Sequence, residues 1–125
     1  MQRNFNVEFR GDYIRVELGP EFRVTAENQD EFWRALKAAC AEHDSKRVLV
    51  EGFVPSGERE TAEVIDAGKR AAAVPDLWLA FHLEGFVPNE RSELFEVIAR
   101  SSGVRVKFFS ERGRALKWLR HNTPR

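Results

Sequence analysis

Three polar residues of this chain stand where they could do acid–base chemistry. His82 lies two residues before Glu84 in an apolar run that reads as a strand, so both side chains share one face. Glu51 occupies the matching end of the preceding strand. An imidazole held by carboxylates can move protons near neutral pH or ligate a metal. The sequence offers no accompanying nucleophile, oxyanion-hole run or phosphate loop. A small hydrolase-like or metal-binding site at His82, Glu51 and Glu84 is therefore the alternative reading, and the sequence calls for no cofactor and no resident metal. Cys40 and His43, three apart, have the minimum spacing of a nucleophile pair or of two metal ligands. Cys40, however, continues the apolar stripe of Phe32, Leu36 and Ala39, which makes it a core thiol.

Both glutamates open a repeated pentapeptide. Glu51-Gly52-Phe53-Val54-Pro55 returns one strand-helix unit later as Glu84-Gly85-Phe86-Val87-Pro88, each copy following an apolar run. An acidic-basic pair follows each turn, Glu58-Arg59 and Glu90-Arg91, and Glu111-Arg112 begins the last helix in the same way. Carboxylates in a first turn complement the helix macrodipole, whereas arginines there oppose it. In an open α/β sheet, ligands bind outside the carboxyl ends of the parallel strands, which is where Arg59, Arg91 and Arg112 would stand. An anionic group would dock on them, with Phe53 and Phe86 offering apolar contact. The competing account pairs each arginine with a neighbouring glutamate on a solvated rim.

Periodicity supplies the elements that position these residues. Phe5, Val7 and Phe9 alternate with Asn6 and Glu8; after Gly11-Asp12, Ile14, Val16 and Leu18 alternate with Arg15 and Glu17. Two such runs around a short turn make a β-hairpin. Thr25 precedes a helix over about 26–43. Strand then alternates with helix: 47–51 and 60–74, 77–84 and 89–102, 104–109 and 111–121. Strands joined by helices run parallel through right-handed crossovers, so the chain is a single α/β domain with a mixed five-stranded sheet. With every crossover wound one way, helices cover one face. The other face, holding Asn6, Glu8, Arg15, Glu17, Leu49, Trp78, Ala80, Arg105 and Lys107, stays partly wet and could pair two subunits. The last helix sets Arg112, Arg114, Lys117 and Arg120 around Leu116, Trp118 and Leu119, a basic amphipathic pattern in which Trp118 docks the helix on the sheet.

Composition narrows the function classes. Forty-two per cent hydrophobic residues, with ten Phe and three Trp, suffice for a core without disulfide or metal. Twenty basic and twenty acidic side chains leave no overall positive field for nucleic acid. One cysteine excludes an intramolecular disulfide and any multi-cysteine zinc site, and fits a reducing, cytoplasmic setting. No apolar run reaches signal or membrane-span length, so stable membrane insertion is not expected.

The order of hairpin, helix and three strand-helix units, closing in Val106-Lys107-Phe108-Phe109-Ser110 and Ala115-Leu116-Lys117-Trp118-Leu119, resembles the STAS-like family, the anti-sigma-factor-antagonist fold, over essentially the whole chain. The resemblance implies a superhelical wind of strand-helix units and no intrinsic catalysis. It also implies a regulatory module that binds a protein partner or, in some relatives, a small anionic or lipidic ligand. Regulatory members of the family carry a phosphorylatable serine in an Asp-Ser-Ser-Gly-like loop between the third strand and second helix. The matching loop here, 53–60, holds Ser56 in Pro55-Ser56-Gly57, without the aspartate or the doubled serine. The resemblance thus makes Ser56 the candidate phosphorylation site with Arg59 at hand, while Pro-Ser-Gly is also ordinary turn chemistry.

Overall fold

The computed structural model describes residues 5–19, 26–53, 61–71, 74, 76–84 and 90–121. Within them the chain is α/β, with a mixed five-stranded sheet and four helices, as the alternation of short runs requires. The strands β1 (Phe5–Phe9) and β2 (Ile14–Leu18) pair antiparallel from Phe5 opposite Leu18 to Phe9 opposite Ile14. Their turn is closed by the Arg10 N–H donating to the Tyr13 carbonyl at 2.8 Å. There follow α1 (Ala26–His43), β3 (Arg47–Phe53), α2 (Thr61–Arg70), β4 (Trp78–Glu84), α3 (Glu90–Ser101), β5 (Arg105–Phe109) and α4 (Arg112–His121). The sheet order is β1-β2-β3-β4-β5, and β2 to β5 are parallel.

Because side chains alternate across a strand, β3 and β4 each serve two cores. Val48 and Val50 of β3 and Leu79 and Leu83 of β4 are buried with Phe32, Trp33 and Leu36 of α1 and Phe95 and Ala99 of α3. The intervening Leu49 and Ala80 are buried with Ala115 and Leu119 of α4 on the opposite face, joined by Tyr13 and flanked by Trp78, Phe109 and Trp118. This corrects the expected wet face. Leu49 and Ala80, offered by the sequence to solvent or a second subunit, have 0% exposure beneath the chain's own last helix. The crossover rule governs only helices that join two parallel strands, so α4, which joins none within the sheet, takes the face that the others leave open. Asn6, Glu8, Glu17, Arg105 and Lys107 remain exposed, and Trp78 is half-buried.

Some boundaries also move. β3 runs on through Gly52 and Phe53, paired with Leu83 and Glu84. A Cβ on Gly52 would lie 2.9 Å from the Cβ of Leu18, so the close approach of β2 explains the glycine of the first repeat. α2 ends at Arg70, short of the expected 74. Gly68 in that helix faces α3 so closely that a Cβ would sit 2.5 Å from Ile98 Cγ2. Overfilled helix contacts force strained rotamers or shifted backbone. Gly68→Leu should therefore cost about 1–3 kcal/mol, read as a lower urea midpoint with an unchanged slope.

Candidate functional site

On the face shared with α4, near the carboxyl ends of β3 and β4, the buried carboxylate of Glu51 gathers two hydrogen-bonding partners and a third, ion-paired one. In register Glu51 stands opposite His82 on β4 and Glu17 on β2. His82 Nδ1 is 2.9 Å from Glu51 Oε2. Arg15 Nε donates to Oε1 at 2.7 Å, and Arg112 Nε, from the first residue of α4, lies 3.1 Å from the same oxygen. Arg112 also donates through Nη2 to the Tyr13 hydroxyl at 3.4 Å. Four segments thus meet at one side chain: β2, β3, β4 and the start of α4.

The electrostatics follow from the contacts. Burial pushes the Glu51 carboxyl up, but the hydrogen bond to His82, that of Arg15 and the charge of Arg112 together hold it below the ordinary carboxylate value. Its hydrogen bond to Glu51 likewise raises Arg15 above the usual arginine value against the opposing effect of burial. Arg15 is fully committed, since Nη1 lies 3.3 Å from Glu8 and Nη2 3.0 Å from Glu17. Glu51 is therefore an ionised anchor and not a proton shuttle. An ionised carboxylate can only accept, so Nδ1 of His82 carries the hydrogen, and whenever the ring is neutral its lone pair is on Nε2. Arg112 keeps a side chain 46% exposed, against 11% for Glu51 and 25% for His82.

Of the residues singled out in the sequence, the structure brings Glu51, His82 and Arg112 together. The two copies of the repeat are not level, because Glu84 pairs with Phe53 while Glu51 pairs with His82. Phe53 and Arg91 are placed by their backbones at the end of β3 and in the first turn of α3, and Glu84 ends β4; their side chains lie outside the described residues, as do Ser56, Arg59 and Phe86 altogether. Among the described residues, no group of three His, Cys, Asp or Glu side chains could hold a metal ion. Sequence reading missed Arg15 and Tyr13. The signal for Arg15 was its position opposite Glu8 across the hairpin and diagonal to Glu51, two residues beyond its own partner Leu49 on the parallel strand, a cross-strand charge pattern; the Tyr13 hydroxyl left none.

The other candidates resolve into structure. Cys40 is buried in the core, and burial pushes its thiol up to about 11, which leaves it protonated and unreactive. His43 stacks on Phe9 with ring centroids 4.2 Å apart. On α4, Arg120 pairs with Asp12 at 2.8 Å, Arg114 with Glu111 at 3.2 Å, and Trp118 packs against Trp78 at 5.3 Å, so this helix docks on the sheet. Among the described residues, no helix is long and apolar enough to cross a membrane. No family model, curated protein or solved structure matches this chain.

Proposed function

We propose that this protein is a non-catalytic, cytoplasmic regulatory module of the STAS-like kind. It binds a protein partner through the rim at the carboxyl ends of its parallel strands, where a small anionic or lipidic ligand is also accepted. The observation that carries this reading is Arg112. Its guanidinium is held in one orientation by Glu51 and Tyr13 yet stays half exposed at that rim. A cation fixed before binding loses little side-chain freedom when an anion arrives. Arg59, Arg91, Phe53 and Phe86 join the surface by their places in the repeat, and Ser56 enters through the family resemblance.

Thermal shift of the purified protein against phosphorylated metabolites, nucleotides and acidic lipids tests the reading. A ligand at a hundredfold its Kd adds about 2.7 kcal/mol of stability, so one class should raise Tm with dose, and Arg112→Ala should abolish the rise measured from its own baseline. An undiminished rise in Arg112→Ala, or no rise with any class and no partner retained on the immobilised protein, overturns it. The 2.9 Å contact of His82 with Glu51 favours a second reading, acid–base chemistry at Nε2 of His82.

A further inference from the structure

We propose that His82 is a nucleophilic acceptor whose Nε2 takes a phosphoryl group from a small phosphoramidate or acyl-phosphate donor. The inference rests on the second reading above for the tautomer of His82, and adds to it a covalent step. Three features of the site carry it. First, the carboxylate of Glu51, 2.9 Å from Nδ1, fixes the ring and puts the lone pair on Nε2. Glu51 is itself fixed by Arg15 and Arg112, so the ring orientation is set from two further elements. Secondly, the His82 side chain is one quarter exposed, and among the described residues its Nε2 has no hydrogen-bond partner. Thirdly, the attack makes the ring positive and brings phosphoryl oxygens alongside. Glu51 balances the first charge, and Arg112, half exposed on the other oxygen of that carboxylate, is a cation for the second.

With phosphoramidate as donor, the Nε2 lone pair forms the new N–P bond. The P–N bond of the donor, in its N-protonated form with three hydrogens on nitrogen, breaks, and ammonia leaves with that electron pair. Nothing is oxidised or reduced, and the Nδ1 hydrogen stays on the bond to Glu51. The product would set a phosphate beside Arg112, so modification and anionic-ligand binding would compete for one cation.

The chain supplies its own controls, because His43 stacks on Phe9 and His121 ends α4. Folded protein is incubated with phosphoramidate at neutral pH, and each histidine is followed by peptide mapping and by phosphorus NMR. His82 should be phosphorylated on Nε2 at least about tenfold faster than His43 and His121, the scale on which an orienting carboxylate acts. In urea the three should react alike, and Glu51→Gln, if folded, should bring His82 down to the rate of the others. Labelling of His82 no faster than its controls, or on Nδ1, overturns the proposal. Nitrogen NMR of the free protein then separates the two ideas: an Nδ1–H ring without selective labelling ends this proposal alone, and an Nε2–H ring ends the acid–base reading with it.

Discussion

Leu49→Ala lowers stability by about 3 kcal/mol, within the usual cost of cutting a buried leucine to alanine. The size of the effect depends on α4. On the open sheet face that alternation alone suggests, Leu49 would be half wet and the change would cost little. Under Ala115 and Leu119 it is fully buried, so truncation removes apolar contact and leaves a void that the sheet backbone cannot close. Leu119→Ala, made from the helix side, costs a similar amount. The pair measured together falls short of the sum, since both shorten contacts in one small cluster. Urea midpoints of the four proteins check this, and additive losses would mean that the two residues do not share a core.

Glu51→Ala costs about 3 kcal/mol as well, for an electrostatic reason. Removing one partner of a buried ion pair strands the others, and here His82, Arg15 and Arg112 all lose their shared carboxylate. Arg15 retains Glu8 and Glu17, which keeps the loss at the lower end of the range. The pH dependence has a definite sign. Glu51 has its folded value below the ordinary 4.5, so its contribution is complete above pH 4.5 and fades as acid titrates it through the lower folded value. Glu8 and Asp12 are shifted the same way by Arg10 and Arg120, so the whole protein loses stability in acid for several reasons. Glu51→Gln isolates one of them: the gap between wild type and variant should narrow as pH falls below 4.5. A gap constant down to the acid transition would show that folding does not lower the value of this carboxyl.

Much of the architecture was legible in the residues. The hairpin was readable because its apolar positions alternate without a break, and α1 because a stripe from Phe32 to Cys40 is long enough to show the helical period. The length of β3 was obscured by Gly52, which reads as a turn and serves as a contact with Leu18. The face taken by α4 could not be read at all. Ala115 and Leu119 say that the helix is amphipathic, and only the space left over by the crossover helices says where it goes. Within the site, Glu51 and His82 were visible as a pair because both parity and strand position point to it. Arg15 looked like one more charge on a solvated strand. Its commitment to a buried carboxylate depends on a parallel pairing between β2 and β3 that eighteen helical residues separate in the chain.

The sheet lists its strands in the order of synthesis, and that has a kinetic meaning. Each new strand finds its partner already waiting at the growing edge, so no strand must be inserted later between two that have met, and each pairing closes only one hairpin turn or one helical crossover. A chain emerging from the ribosome can add β3 to the hairpin, β4 to β3 and β5 to β4, each with the helix that precedes it. α4 reaches back past β5 to residues of β3, β4 and the hairpin, and it carries Arg112 with it. The cation of the rim is thus delivered by the last-made of the described elements, and a nascent chain has no complete rim until α4 has left the tunnel.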